Sequence, residues 1–411
     1  MKIGLFTDSY PPYINGVSTS VYNLREALKK LGHTVYIVTV NDSIIKHEYD
    51  EKEKILKIPG IPIGIYDYRL SEIYPISTVK MIKKWNLDVI HSHTEFGIGI
   101  FARILAKKFK IPLVHTYHTL YEDYTHYITH NHFNKLSKKI VKDLTKVYCV
   151  KTAQKTIVPT EKIYKLFKEK YMITKNISVI PSGIDIERFF EENVKKDKVE
   201  KIKEKYGITK KDFVIIFVGR LAPEKNIEFL LEAEQKMVEQ KISNIKLLIV
   251  GDGPEKENYI NISRKFNIFD KVIFTGRIPQ EEIQYYYQCA DAFVTASNSE
   301  TQGLTVIEAM AAGVVPICIN DMAFIDMLPK KSIFSNQNEY ISQIVMFSEN
   351  ENLRNDYKME IRKKAEEYSS KTYAQRVLDV YNGVLNGGKK DNTLKSRDLK
   401  NEKEKMVEEF V

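Results

Sequence analysis

The sequence predicts an α/β protein with two doubly wound domains, each a parallel sheet covered by helices. Short, apolar, β-branched segments alternate with amphipathic helical patterns, as expected for parallel strands buried on both faces. This alternation starts again at Phe213, after the highly charged stretch Glu191–Lys205. The length of 411 residues also exceeds the roughly 100–200 residues of a typical domain.

The first series of strands and helices occupies the first 180 residues. The predicted strands are Lys2–Thr7, Thr34–Val40, Asp88–His91, Pro112–His115, Lys155–Val158 and Ile177–Ile180. Ser18–Leu31 is a helical pattern closed by Gly32, a residue that commonly ends helices. The changeover to the second series falls near Pro181–Arg188, so we expect a first domain over residues 1–184.

The second series begins after the charged stretch and predicts a second domain over residues 185–365. Its predicted strands are Phe213–Gly219, Ile245–Gly251, Val272–Thr275, Ala292–Val294 and Val315–Ile319. Its predicted helices are Asn226–Gln240, Glu255–Phe266, Glu281–Gln288 and Leu304–Ala312. A long helical pattern from Leu353 to Leu385 follows, and the charged residues 389–411 are typical of a mobile tail.

Composition restricts the classes of protein to which the chain can belong. The three cysteines show no CxxC spacing, which argues against a disulfide framework and fits a reducing cytosol. The N-terminal apolar run stops at Asp8, so we expect no signal peptide. The longest uncharged apolar stretch, Ala309–Ile319, is far shorter than the roughly 20 residues of a membrane-spanning helix.

The net charge of +9 is concentrated in the first half. Residues 1–180 contain 28 Lys+Arg against 16 Asp+Glu, and the remainder contains 35 against 38. Phe133–Val150 places apolar residues at spacings of three and four with lysines between them, which predicts a helix. That helix is either a solvated surface helix or a basic amphipathic helix on anionic lipid. No nucleic-acid-binding motif accompanies the charge, so we expect no nucleic acid partner.

Two glycine-containing turns follow predicted strands, at the sheet edge where α/β proteins bind ligands. Asn15-Gly16-Val17 precedes the first helix, where backbone N–H groups can approach an anion, although a plain tight turn is equally consistent. Gly219-Arg220 and Glu224-Lys225 follow the first strand of the second domain. The two cations of this turn suit a diphosphate, although exposed surface charge is the alternative.

The segment Ser297–Met310 is the most specific in the chain, because it leaves a strand and opens a helix. The backbone N–H groups of Gly303, Leu304 and Thr305 would face an anion at the helix N-terminus. Glu300 would project into the cleft, and Glu308 would accept hydrogen bonds from vicinal hydroxyls. Thr305-x-x-Glu308 also fits a capping box, which is the structural alternative for Glu308.

Seven of the nine histidines fall between His91 and His132. His91, His93 and the pair His126 and His130 could be metal ligands, but no HExxH motif accompanies them. These side chains could equally line the cleft. His118 follows a strand end, where it could hydrogen-bond a substrate hydroxyl or phosphate.

Together these motifs resemble glycosyltransferase family 4, the retaining nucleotide-sugar transferases of the GT-B fold. The resemblance covers about residues 1–385. It implies two Rossmann-like domains facing across a cleft, with the C-terminal helix, residues 366–388, crossing back to the first domain. It implies catalytic roles for His118, Glu300, Arg220 and Lys225. It also implies a donor site formed by Gly16, Val17, Arg220, Lys225, Ile278, Glu300, Gly303, Leu304, Thr305 and Glu308, with no metal or other cofactor.

A narrower resemblance is to the bacterial diacylglycerol glucosyltransferases within this family. Thr301-Gln302-Gly303 stands where many members have Ser-Phe-Gly, and Tyr117–Tyr127 is also similar to this subgroup. It implies transfer of glucose from UDP-glucose to diacylglycerol by a cytoplasmic enzyme bound peripherally to an anionic inner membrane face. The alternatives are a soluble or polysaccharide acceptor, a nucleotide-binding protein without transferase activity, and a metal-dependent hydrolase.

Overall fold

The chain forms two parallel-sheet domains in a computed structural model that describes residues 1–13, 15–62, 69–120, 143, 145–242 and 244–387. The first sheet has the order β3-β4-β2-β1-β6-β7-β8-β9, with β5 beside β4. Its strands are β1 (Lys2–Phe6), β2 (Thr34–Asn41), β3 (Glu48–Asp50), β4 (Ile55–Pro62), β5 (Arg69–Ser71), β6 (Val89–Ser92), β7 (Leu113–Thr116), β8 (Lys155–Val158) and β9 (Ile177–Val179). Its helices are α1 (Gly16–Lys30), α2 (Ile76–Trp85), α3 (Gly97–Phe109) and α4 (Glu161–Lys165), with π-helical turns at Val147–Lys151 and Leu166–Lys170.

The second sheet has the order β12-β11-β10-β13-β14-β15, and its strand pairs are parallel. Its strands are β10 (Phe213–Val218), β11 (Ile245–Val250), β12 (Val272–Gly276), β13 (Ala292–Thr295), β14 (Val315–Ile319) and β15 (Ile333–Phe334). The helices that follow along the chain are α5 (Lys196–Lys205), α6 (Ile227–Glu239), α7 (Lys256–Lys265), α8 (Ile283–Tyr287), α9 (Leu304–Ala312), α10 (Met322–Ile325), α11 (Gln337–Glu349), α12 (Glu351–Ala365) and α13 (Ser370–Leu385). Short 3-10 turns lie at Ile186–Phe189, Glu191–Asn193, Pro223–Lys225, Lys330–Ser332 and Glu366–Tyr368.

The predicted strands are confirmed to within a residue or two at their ends, because their continuous apolar runs are buried. In β10, for example, five of six residues are buried against helices on both faces. The strands β3, β4 and β5, and the two-residue strand β15 of the second sheet, were not predicted. Strands β3, β4 and β5 lie at the edge of the first sheet, where charged residues such as Glu48 and Lys57 interrupt the apolar pattern. Both β3 and β5 pair antiparallel to β4, so the parallel pattern does not extend to this edge.

The prediction of one continuous helical pattern from Leu353 to Leu385 was wrong. The chain turns at Glu366–Tyr368, and the side chain of Ser369 then caps α13 by accepting a hydrogen bond from the backbone N–H of Thr372. Helix α13 crosses back to the first domain, as expected. Its Tyr373 and Val377 are buried in the same core as Leu24 and Leu28 of α1.

Several predictions concern residues that the structure does not describe. Most of the predicted helix Phe133–Val150, the pair His126 and His130, and the tail 389–411 lie outside the described residues. The domain boundaries after residues 184 and 365 stay predictions. Within the described parts of the chain, no helix is both long and apolar enough to span a membrane.

A buried carboxyl group lies far from the strand ends, on α6. Glu234 is 1% exposed, and its Oε2 has no hydrogen-bond partner. Burial raises the pKa of Glu234 to about 8, against an attraction from Lys271 that lowers it. The unfolded chain ionises this group near its ordinary pKa of 4.5, so folding stability falls as the pH rises from there towards about 8.

Glu234→Gln should therefore remove a pH-dependent loss of stability. Relative to this variant, the wild type should lose up to about 1.4 kcal/mol of unfolding free energy per pH unit between about pH 5 and pH 8. Melting temperatures of both proteins across that range measure the difference. Glu228→Gln, at an exposed position of the same helix, is the control and should keep the wild-type slope. Parallel pH profiles for wild type and Glu234→Gln would contradict the prediction.

Candidate active site

The two domains meet where the loops at the carboxyl ends of their strands face each other. The loop 297–303, which follows β13, contacts the first domain at several points. Thr160 donates its hydroxyl hydrogen to the carbonyl of Thr301 over 2.8 Å, and Thr301 donates its own to the carbonyl of His118 over 3.0 Å. This junction joins the backbone of His118 in the first domain to Thr301, the residue that follows Glu300 in the second domain.

Lys225 and Glu300 form the central ion pair of the cleft. Lys225 lies in the turn after β10, and its Nζ is 2.5 Å from Glu300 Oε1. Both side chains are about one-fifth exposed. Burial alone would raise the pKa of Glu300, but attraction and hydrogen bonding by Lys225, with help from Ser297 and Lys162, lower it overall. The structure therefore holds an ionised carboxylate in the cleft.

The second predicted cation, Arg220, lies in the same turn as Lys225. Its guanidinium donates a hydrogen bond to Glu224, four residues further along the chain. Arg220 is 29% exposed and Glu224 is 8% exposed, so the guanidinium faces the solvent side of this pair. The turn thus presents two cations with two carboxylate partners, rather than unpaired surface charge.

Helix α9 begins at Leu304, directly after Gly303. Gly303 has a φ of +85°, a left-handed conformation that favours glycine. A Cβ at this position would lie 2.7 Å from Phe324, which also excludes a side chain. The first-turn N–H groups of a helix have no intrahelical partner, so the N–H groups of Leu304 and Thr305 lie at a positive helix end.

Glu308 lies one turn inside α9, and its carboxylate is bound to a tyrosine. Tyr287 donates a hydrogen bond from its hydroxyl to Glu308 Oε2 over 2.9 Å. No side-chain cap bond forms at the start of α9, so the capping-box interpretation of Thr305 and Glu308 is wrong. Burial raises the pKa of Glu308 to about 6, against lowering contributions from Tyr287, Arg188 and Gln280.

His118 lies at the first-domain side of the junction. Its Nε2 is 3.0 Å from Nδ1 of His93, and the two rings stack with centroids 5.3 Å apart. Burial, together with the nearby His115, lowers the pKa of His118 to about 3. The imidazole is therefore neutral at physiological pH and acts as a hydrogen-bonding group rather than as a cation.

The other buried histidines are held by protein side chains. His91 pairs through Nδ1 with Tyr381 of α13 and through Nε2 with Thr116, both over 2.7 Å. His115 Nε2 is 3.0 Å from Glu95 Oε1. The residues that the structure describes contain no group of three or more ligating side chains that could hold a metal ion.

The remaining predicted donor residues lie around this junction. Gly16 opens α1, and a Cβ built there would lie 4.0 Å from a methyl group of Leu304, so the first-domain loop faces the start of α9. The side chain of Val17 is 9% exposed and packs in the first-domain core. Any contact of Val17 with a ligand would therefore be made by its backbone. Ile278 follows β12 and packs against the second-domain core, and the side chain of Gln280 beyond it helps to lower the pKa of Glu308.

Four residues at this site were not predicted: Lys162, Gln302, Tyr287 and Asp321. Gln302 pairs through both amide atoms with the backbone of Ser182, at 2.9 and 2.8 Å. Tyr287 gave only the signal of a core residue on an amphipathic helix. For Gln302, the available signal in the sequence was that two polar residues, Thr301 and Gln302, stand together in a predicted loop. The sequence alone did not show that Gln302 contacts Ser182.

Family models divide the chain in the same way as its two domains. The model described as "Glycosyltransferase Family 4" matches residues 14–188, and "Glycosyl transferases group 1" matches residues 198–364. The chain is 34% identical over 404 residues to alpha-monoglucosyldiacylglycerol synthase of Acholeplasma laidlawii, a match covering 95% of this chain and 99% of that protein.

The chain belongs to glycosyltransferase family 4. The synthase of the same name from Streptococcus pneumoniae is also 34% identical, over 81% of this chain and 74% of that protein. The solved structure of Anabaena Alr3699/HepE in complex with UDP-glucose matches with a TM-score of 0.71 at 15% identity, covering 93% of this chain and 100% of the other. The predicted GT-B fold is thus confirmed, and this protein is a glycosyltransferase.

Replacing either Lys225 or Glu300, the central ion pair, should abolish most of the transfer activity of the enzyme. We expect Lys225→Ala and Glu300→Gln each to lower kcat by about a hundredfold or more, since each removes a preorganised charge from the cleft. Lys246→Ala is the matched control: its ion pair with Asp212 is similarly buried and joins the opposite strand ends of the same domain. Wild-type kcat in either cleft variant, or an equal loss in the control, would contradict the assignment.

Proposed function

We propose that this chain transfers glucose from UDP-glucose to diacylglycerol at a membrane surface, with retention of anomeric configuration. The proposed nucleotide-sugar donor rests on one observation. The ionised Glu300 is paired with Lys225 and lies in the loop that leads into the N-terminus of α9. The names of the two relatives that match across most of the chain support the lipid acceptor.

The proposed chemistry needs negative charge to be stabilised on the leaving diphosphate as the sugar–phosphate bond breaks. In the proposal, Arg220, Lys225 and the backbone N–H groups of Leu304 and Thr305 stabilise that charge. The proposed mechanism therefore uses side-chain cations and a helix terminus, with no resident metal. On this proposal, Gly16 lets the first-domain loop approach the phosphate.

The proposed placement of the donor assigns one carboxylate to each sugar ring. Glu308, held by Tyr287, would accept hydrogen bonds from the ribose hydroxyls, and the segment of Ile278 would lie near the base. Glu300 would accept hydrogen bonds from hydroxyls of the glucose. His118, neutral and fixed by His93, would hydrogen-bond the glucose on its other side.

An exposed apolar rim on the first domain supports a lipid acceptor. Its members are large apolar side chains at least 48% exposed: Ile44, Ile45, Ile61, Leu70, Ile73, Ile76 and Phe96. Ile61 lies opposite Leu70 in the β4–β5 pair, and the N–H of Gly60 donates to the carbonyl of Ser43 over 3.1 Å. The rim thus follows the carboxyl ends of β2, β4 and β6, at the sheet edge that also carries His118.

The charge near the rim suits an anionic bilayer. Helix α2 begins with the rim residue Ile76 and exposes Lys80 one turn further along, with Lys83 and Lys84 exposed in its last turn. Contiguous exposed apolar side chains are rare on soluble proteins unless they contact a partner or a membrane. In this proposal, apolar insertion by the rim and attraction of the basic residues of α2 to anionic headgroups act together.

The proposal is tested by incubating the enzyme with radiolabelled UDP-glucose and diacylglycerol in anionic vesicles. We expect labelled glucosyldiacylglycerol, and vesicle binding weaker by about a hundredfold or more in the double variant Ile45→Ser/Ile76→Ser, because each of the two isoleucines gains about 1.5–3 kcal/mol on burial. Met359→Ser in the second domain, where exposure equals that of Ile76, is the control. Transfer to a soluble acceptor with no labelled lipid would refute the lipid assignment.

Donor binding should depend on the ionisation of Glu308. Because the pKa of this carboxyl lies at about 6, the affinity for UDP-glucose should fall as the pH drops below about 6 and the carboxyl gains a proton. The diphosphate of UDP-glucose does not titrate in this range, so calorimetry from pH 5 to pH 8 isolates the effect. Tyr287→Phe should move the midpoint upward, since it removes a hydrogen bond that favours the carboxylate. A flat profile in the wild type would contradict the role of Glu308.

A further inference from the structure

Lys162, at the start of α4 in the first domain, extends its side chain to the second domain. Its Nζ lies 2.7 and 2.8 Å from the two carboxylate oxygens of Asp321, which follows β14. It also donates to the carbonyls of Glu300 over 2.9 Å and Asn298 over 3.5 Å. The three N–H donors of an ammonium group thus have acceptors on two loops that follow neighbouring strands.

The backbone of the loop 297–303 is held mainly by first-domain side chains. Three of its carbonyls accept from residues at one end of α4: those of Asn298 and Glu300 from Lys162, and that of Thr301 from Thr160. Carbonyls in an exposed loop are normally satisfied by water. Their capture by one short segment fixes the path of the backbone on both sides of the Glu300 Cα atom.

This arrangement differs from an ordinary surface ion pair. The side chains of Lys162 and Asp321 are 18% and 10% exposed, so the pair is partly buried. An ion pair that serves only stability needs no further hydrogen bonds from the lysine to loop carbonyls, such as those that Lys162 donates to Asn298 and Glu300. Asp321 also accepts from the N–H of Ala323 at the start of α10, which fixes the carboxylate that orients the lysine.

We propose that Lys162 is a positioning residue that, from the first domain, fixes the backbone of the loop 297–303 and so aims Glu300 at the donor sugar. Lys225 fixes the carboxylate end of Glu300 and Lys162 fixes its backbone end. The inference rests on the proposed donor, because Glu300 is taken to contact the glucose and not the UDP. It makes donor-sugar placement depend on a residue outside the donor-binding domain.

The test separates binding of the sugar from binding of the nucleotide. Lys162→Met alone would leave the carboxylate of Asp321 unpaired and would destabilise the protein for that reason. The decisive protein is therefore the double variant Lys162→Met/Asp321→Asn. Asn also caps helices, so the start of α10 keeps its hydrogen bond. Lys165→Met, at an exposed position of the same helix, is the matched control.

We expect the double variant to weaken UDP-glucose binding about tenfold and to lower kcat, while its affinity for UDP alone stays within about twofold of wild type. The control should match the wild type in all three measurements. Unchanged UDP-glucose affinity and kcat, or equal weakening of UDP and UDP-glucose, would overturn the positioning role while leaving the donor assignment intact. If wild type binds UDP but not UDP-glucose, the proposed donor fails and this inference fails with it.

Discussion

The arrangement of the cleft depends on holding one carboxylate, Glu300, ionised and fixed at the junction of two domains. Its side chain pairs with Lys225 over 2.5 Å, and its backbone carbonyl accepts from Lys162 over 2.9 Å. Burial opposes the charge of this group, and these nearby cations outweigh that effect and lower its pKa. Because fixed protein groups rather than water stabilise the charge of Glu300, the site needs little reorganisation when a polar ligand binds.

The remaining features of the site follow from where parallel strands end. Strands β10 and β13 are neighbours, so the turn that carries Lys225 and the loop that carries Glu300 leave the sheet side by side. Gly303 then turns the chain into α9, whose first N–H groups point out of the same edge. On the proposed function, this edge binds the nucleotide sugar, and the apolar rim of the first domain meets the lipid.

Local patterns were sufficient to predict most strands of the two sheets and the residues at the carboxyl ends of those strands. Lys225 and Glu300 are 75 positions apart, and the sequence placed both at strand ends but could not show that they touch. The contacts of Lys162 and Gln302 depend on how one domain sits against the other, which no periodicity encodes. The edge strand β3 was missed because its exposed acidic residues lack an apolar run, and Tyr287 because a buried tyrosine resembles any core residue.

A crystal structure of the complex with UDP-glucose tests the central claim most directly. The account predicts the ribose diol within hydrogen-bonding distance of Glu308, the diphosphate beside Arg220, Lys225 and the start of α9, and glucose hydroxyls within hydrogen-bonding distance of Glu300. It also predicts that Lys162 still contacts the carbonyl of Glu300 in the complex. A nucleotide bound elsewhere, or glucose out of reach of Glu300, would contradict it.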